Sequence, residues 1–402
     1  PAGSFMVGSR STQQSSVTRS SFGFDESQRA VIECNDREVV AEARAGAGKT
    51  TTAIGYAQHR PDARILYVCL NKANQVEASA RFGANTECRT SHSLAYSAVG
   101  YRYKNKLIQS WKTRTFQDEM RINDSRLAAA AKESLENYFH SSDREISENH
   151  LHDAIEKYNL SGYEISALEA LVIRSWGEMK SVISGVSIPH DAYLKMWALT
   201  EPKLSRKYSH IILDEAQDTN PVTAGVVANQ RDINKLLIGD RHQSIYLFRG
   251  ATNAMEEFAN SGATVLTMPK TWRFGPEIAD AANALLAFFK GEEIPIIGAG
   301  PAGQFGKKGS KALLSRTNAG LFTAAAALSG RGVHWVGGVE SYRLDQLMSS
   351  YHLKCGNRNM VTDPVIRMYP SWIAYCEDAE ATKDAEARML IKFNEEYQNH
   401  VP

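Results

Sequence analysis

The chain has 402 residues, 43% of them hydrophobic and 23% charged, with 46 Lys and Arg against 45 Asp and Glu. Those proportions exclude collagen-like, disulfide-scaffold and wholly disordered classes, and the length fits about one to three domains, each able to bury a core. A formal charge of +1 leaves no global electrostatic footprint of a nucleic-acid binder, so any such binding must rest on local clusters of Lys and Arg.

Residues 1–21, rich in Ser, Thr, Gln and Gly, read as a disordered lead-in and not a signal peptide, with Pro1–Phe5 extraneous to a chain that would start at Met6. From Val39 short β-branched runs alternate with helical stretches. The runs are 39–43, 65–70, 210–216, 235–240 and 264–268, with helices expected from Lys49 and Lys72. This alternation is the signature of a parallel, doubly wound sheet. Residues 107–206 interrupt it with helical spacing at 111–120, 125–139, 146–158 and 165–181, which predicts an all-α insertion. After a loop rich in Gly and Pro at 291–309, strand-like 311–316, helical 318–328 and strand-like 333–338 predict a second α/β unit, followed by a charged helix over 379–397. The expected domains are therefore 22–106 with 207–290, the insertion 107–206, and 291–402.

No run of about 18 apolar residues occurs, so no membrane contact is expected. Cys34, Cys69, Cys88, Cys355 and Cys376 are scattered without a CxxC pair, which argues against a disulfide framework or zinc ribbon and for a reducing, intracellular compartment. His150 and His152 lie two apart on a helix and so point to different faces; they read as a solvated pair and not as metal ligands.

The segment Ala43-Arg44-Ala45-Gly46-Ala47-Gly48-Lys49-Thr50 follows a strand and opens a helix, matching a phosphate loop except that Ala43 replaces its first Gly. Small residues from Ala45 to Gly48 let backbone N–H groups converge on phosphates, and the helix N-terminus through Thr51 adds its positive end. Lys49 adds a charge, and the Thr50 hydroxyl can ligate Mg²⁺. The apolar run Ile211-Ile212-Leu213 ending in Asp214-Glu215 supplies the acidic half: Asp214 for the metal and Glu215 as general base for the attacking water.

Further motifs follow in order: Phe24-Asp25-Glu26-Ser27-Gln28, Leu70-Asn71-Lys72, Thr90-Ser91-His92-Ser93-Leu94, Asp214-Glu215-Ala216-Gln217-Asp218, Gly239 to Ala251, and Thr271-Trp272-Arg273-Phe274. With the phosphate loop, this series resembles superfamily 1 DNA helicases of the UvrD/Rep type, most closely the F-box DNA helicase branch, over residues 24–402. The resemblance implies an α/β fold, namely a RecA-like parallel-sheet domain with an all-α insertion followed by a partial second RecA-like domain. By position it implies that Gln28 reads adenine, that Trp272 stacks on the base, and that Gln243 and Arg273 sense the terminal phosphate. An amide and a guanidinium suit that last task as donors aimed at oxygen charge. It further places single-stranded DNA against Asn71, Thr90, His92, Phe248 and Arg249, with Phe248 as a stacking platform. Ser91 stands where relatives carry a stacking Phe. The family's later motifs, with their remaining arginine finger, are not found before Pro402, so the second domain reads as incomplete.

The resemblance thus implies an ATP- and Mg²⁺-dependent DNA helicase or translocase of the DNA-repair kind, moving 3′ to 5′ on single strands and meeting single/double-strand junctions. The insertion would flank the junction or hold a protein partner. Such a protein would work in the cytoplasm or nucleoid of a bacterium or virus, or in a eukaryotic nucleus. The alternative is a truncated, non-motor module that binds nucleic acid or protein under ATP control.

Overall fold

The computed structural model describes residues 23–109, 111–244, 254–303, 318–328 and 344–396, together with 312–315, 332–336, Gly338 and Tyr342. The first unit opens with α1 (Glu26–Glu33), β1 (Glu38–Ala43), α2 (Lys49–Gln58), β2 (Ile65–Cys69), α3 (Lys72–Arg81), β3 (Thr86–Thr90) and α4 (Ser91–Ala98). Helices α5 (Thr113–Met120), α6 (Ser125–His140), α7 (Glu148–Tyr158), α8 (Tyr163–Lys180) and α9 (His190–Ala198) follow without a strand between them. The chain then returns through β4 (His210–Asp214), α10 (Pro221–Ala228), β5 (Asn234–Gly239), α11 (Ala254–Asn260) and β6 (Thr264–Met268).

These six strands form one parallel sheet in the order β3-β2-β4-β5-β1-β6. Alternate residues of each strand face opposite layers, and both layers are apolar. Val39, Ala41, Ile65, Tyr67, Ile212 and Leu236 pack on one side with α1 and α2, whereas Val40, Leu66, Val68, Ile211, Leu213 and Leu237 pack on the other with α10 and α11. Burial on both faces explains why these strands read as continuous apolar runs.

Helices α5–α9 enclose a core of their own, in which Trp111, Phe116, Leu135, Phe139, Leu168, Trp176 and Trp197 meet. His150 belongs to this unit and corrects the expectation of a solvated pair: its ring is buried, with Nε2 3.0 Å from Ser141 Oγ and Nδ1 accepting the Ser147 backbone N–H at 3.0 Å. The first turn of α7 faces the end of α6, so the helical spacing of His150 served the interior. His152 is exposed.

Beyond β6 come β7 (Lys270–Thr271), α12 (Pro276–Lys290), β8 (Ile297–Gly298), α13 (Asn318–Ala327), α14 (Leu344–Lys354), α15 (Trp372–Ala381) and α16 (Ala385–Glu396). The strands read at 311–316 and 333–338 do not form in the described parts of those stretches; the only ladder after β6 among the described residues is the two-residue parallel pair β7-β8. An apolar run becomes a strand only where a neighbouring strand takes up its N–H and C=O groups, and neither run meets one among the described residues. The expected charged helix at 379–397 is also two helices, α15 and α16, separated at Lys383 by a left-handed φ of 50°. Together with α14 they surround Leu347, Leu353, Tyr369, Tyr375 and Leu390.

Candidate nucleotide and strand-binding site

Sheet order assembles the site. Consecutive strands β4, β5, β1 and β6 end at Asp214, Gly239, Ala43 and Met268, so the loops after them lie side by side at the carboxyl edge, where parallel sheets present ligand sites. Gly46 and Gly48 take left-handed φ values of 78° and 83°, which bend the loop after β1 into a cradle below the N-terminus of α2. A Cβ on Gly46 would stand 2.6 Å from the Cβ of Arg273, so no larger residue fits there.

Lys49 Nζ ion-pairs with Glu215 Oε2, joining the expected phosphate-binding cation to the expected base. Glu215 is brought round by a left-handed φ of 48°, a conformation that non-glycine residues rarely hold and that concentrates at functional sites. The next carboxylate, Asp214, is buried. Its Oδ2 accepts the Tyr67 hydroxyl at 2.5 Å, and its Oδ1 has no hydrogen-bond partner among the described residues. Burial pushes this carboxyl up to about 6, with the Tyr67 hydrogen bond and Lys49 acting against the rise and Glu215 adding to it. Tyr67 also meets the side chain of Thr50, and its own hydroxyl is raised by burial and by Asp214. A buried, orphaned carboxylate oxygen next to a hydroxyl is a donor set that suits a hard divalent cation, so Thr50 and Asp214 fit Mg²⁺. Thr51 instead accepts from Arg81 at 3.4 Å.

Gln217, which the sequence reading quoted without a role, is almost wholly buried. Its Nε2 donates to Glu215 Oε2 at 2.9 Å and its Oε1 accepts the Asp240 backbone N–H at 3.0 Å, tying the acidic pair to the turn after β5. That turn carries Gln243, whose Nε2 donates to Asp240 Oδ2 at 2.6 Å. On the other flank, Thr271 Oγ1 donates to the Ala45 carbonyl at 2.6 Å and the Trp272 N–H to the Gly46 carbonyl at 3.1 Å. The structure therefore fixes Trp272 and Arg273 at the lip of the cradle, with Trp272 47% exposed and Lys270 Nζ 4.3 Å above its ring. Gln28 lies beside the cradle. Its Nε2 donates to the Ala47 carbonyl at 3.1 Å and its Oε1 accepts the Asp25 N–H at 3.1 Å, so both ends of the amide are engaged.

The remaining strands, β3 and β2, carry the other group. Asn71 caps α3, with Oδ1 accepting the Asn74 N–H at 2.9 Å, and Thr90 is buried and caps α4 through the Ser93 N–H at 3.1 Å. His92 Nε2 lies 2.9 Å from Asp191 Oδ1, and His140 Nε2 lies 3.2 Å from Asp191 Oδ2. The histidine pair outweighs the effect of burial and holds the Asp191 carboxyl well below its usual range, fastening α9 of the helical unit to α4. A cavity of about 230 Å³ runs from Asn71, Ser91 and His92 to Asp214 and Thr219, so it meets the first group at Asp214. Phe248 and Arg249 lie outside the described residues.

The UvrD/REP helicase N-terminal domain family matches residues 24–261, which contain every element of this crevice except Thr271–Arg273. The chain belongs to the UvrD/REP helicase family. It is 32% identical over 392 residues to F-box DNA helicase 1 of Gallus gallus, covering 89% of this chain and 38% of the relative. It is also 32% identical over 305 residues to F-box DNA helicase protein 1 of Schizosaccharomyces pombe, covering 69% of this chain and 34% of that protein. A probable DNA helicase II homolog of Mycoplasma genitalium is 26% identical over 298 residues, 65% of this chain and 42% of that protein. The chain thus spans well under half the length of these relatives. No helix among the described residues is long and apolar enough to cross a membrane.

Proposed function

We propose that the chain carries the nucleotide-driven part of a DNA helicase that steps 3′ to 5′ along single-stranded DNA, hydrolysing ATP at the carboxyl edge of its sheet. The observation that supports this most directly is the convergence of Lys49, Asp214 and Glu215 from two separated motifs onto one cradle. The side chains divide the work. Backbone N–H groups of 45–50 and Lys49 bind the β- and γ-phosphates. Thr50 and Asp214 would hold Mg²⁺, which when bound neutralises phosphate charge. Lys49 leaves Glu215 for the phosphate, and the freed carboxylate, still oriented by Gln217, accepts a proton from the attacking water. Gln243 and Arg273 approach the terminal phosphate from the two flanking loops. Trp272 stacks on the base, and Gln28 exchanges its present partners for the adenine edge. Single-stranded DNA crosses the β2 and β3 loops at Asn71, Thr90 and His92 and reaches Phe248 and Arg249, while the helical unit flanks a duplex junction.

Phosphate release measured with and without single-stranded DNA tests the reading. Lys49→Ala should abolish turnover and weaken nucleotide binding. Glu215→Gln should keep binding and lower kcat by about a hundredfold or more, the usual size of a general-base contribution. Unchanged turnover on adding DNA would sink the motor and leave the ATP-gated binding module standing.

A further inference from the structure

Arg44 occupies the second position of the phosphate loop, yet it points away from the cradle into the protein. Its side chain is 2% exposed, and its Nη2 lies 2.9 Å from Glu292 Oε1 and 3.0 Å from the Ile294 carbonyl. Glu292, whose side chain is 3% exposed, meets two guanidiniums and an imidazole at once. Beside Arg44 on Oε1, its Oε2 accepts Arg241 Nη2 at 2.9 Å and lies 2.5 Å from His242 Nε2. The Ile294 N–H donates to Oε1 at 2.9 Å, so both oxygens are filled.

The partners come from different loops. Arg44 belongs to the loop after β1. Arg241 and His242 belong to the turn after β5 that carries Gln243, where the His242 N–H is also held by Asp240 Oδ1 at 3.0 Å. Glu292 sits just beyond the end of α12, held there by its own N–H to the Leu286 carbonyl at 3.3 Å and by Gly291 in the left-handed region. Helix α12 begins at Pro276, directly after the Thr271–Phe274 segment that is bonded to Ala45 and Gly46. A single carboxylate therefore closes a ring through the phosphate loop, the Gln243 turn and the segment bearing Trp272 and Arg273. The ring is strongly anchored, because a buried guanidinium that loses its counter-charge is left desolvated and uncompensated. When one arm shifts, either its own bond to Glu292 lengthens or the carboxylate follows and strains the other.

We propose that Glu292 is a positioning residue of the nucleotide site: through Arg44 and Arg241 it sets the phosphate loop against the turn that presents Gln243. This rests on the ATPase reading above, and it places in that site a residue lying outside every motif that the sequence displays.

Two variants test it in the full chain. Arg241→Gln releases the half-exposed arm and leaves the buried Arg44–Glu292 pair intact, so folding is preserved; Glu292→Gln cuts both arms. Hydrogen exchange without nucleotide should rise in peptides covering 44–48 and 240–244 in Arg241→Gln, with the strand interiors β4 and β5 unchanged. DNA-stimulated kcat should fall by about tenfold, with KM for ATP within about twofold, as expected for a small misplacement of the reacting groups. Folded Arg241→Gln with exchange at 44–48 and kcat both at the parent value would overturn the proposal, whatever Glu292→Gln does. A parent chain that hydrolyses no ATP would instead remove the ATPase reading, and the exchange data would still decide whether Glu292 couples the two loops.

Discussion

Asp214 shows how a single residue can be set against the stability of its own fold. A carboxyl whose native pKa is raised binds its proton more tightly folded than unfolded, so its ionisation opposes folding: stability falls as pH rises from the ordinary 3.8 to about 6, and stays lower above. Asn at this position cannot ionise. Asp214→Asn should therefore melt at higher temperature than the parent at pH 8, by an amount corresponding to at most about 3 kcal/mol, with the gap closing toward pH 4. Thermal scans across that range check it, and a gap that does not depend on pH would mean that the carboxyl is not held up. That Lys49, Asp214 and Glu215 share one place was legible because phosphate chemistry demands those residue types at fixed places after strands. Tyr67, Gln217 and Glu292 were not. Tyr67 and Glu292 act on partners far away in the chain, 147 residues in the case of Tyr67 and Asp214, and the bond of Gln217 to the turn after β5 likewise leaves no mark in any local pattern.

Among the elements, a buried cation helps to fasten the end of α6 to α9, beside the His140–Asp191 contact. Lys195 is 1% exposed; its Nζ donates to the carbonyls of Ser141 and Asp143 at 2.8 and 2.5 Å and lies 4.2 Å above the Tyr138 ring. Burial pulls this ammonium down to about 8. Lys195→Met keeps the aliphatic length but takes the buried donor away from the Ser141 and Asp143 carbonyls, and should lower stability by about 1 kcal/mol. Exchange should quicken at the last turn of α6, and unchanged protection there would contradict this account. The same helices show what periodicity can and cannot reveal. α5–α8 fall within a few residues of their predicted bounds because their apolar stripes face one core. β3 (Thr86–Thr90) was not legible: as an edge strand whose only apolar residue is Cys88, it lacks the apolar run that marks its neighbours. α9 was missed too, since it is short and buries Lys195 together with its apolar residues.

Across the whole molecule, the α14–α16 unit is clasped to the helical unit of α5–α9. Lys112 Nζ pairs with Glu386, the Tyr158 hydroxyl donates to the Thr382 carbonyl at 3.0 Å, and Lys383 donates to the Lys157 carbonyl. The contact is chiefly polar, so Lys112→Ala combined with Tyr158→Phe should loosen it without unfolding either core. Exchange should then rise at the start of α16 and stay unchanged in β1 and β5; protection retained at α16 would show that apolar packing holds the two units together. This clasp was invisible in the sequence, where 291–402 read as a second α/β unit, because strand-like runs are judged by composition and not by whether a neighbour pairs with them, and none does among the described residues of 312–315 and 332–336. The order of the main sheet carries a further consequence. β4 borders both the loops that would hold nucleotide and those that would hold the polynucleotide, and the Tyr67 hydroxyl bridges β2 to its terminal carboxylate. Any coupling carried by that shared strand is mutual: by linkage, whatever factor an unpaired strand contributes to triphosphate affinity, the triphosphate must return in full to the strand.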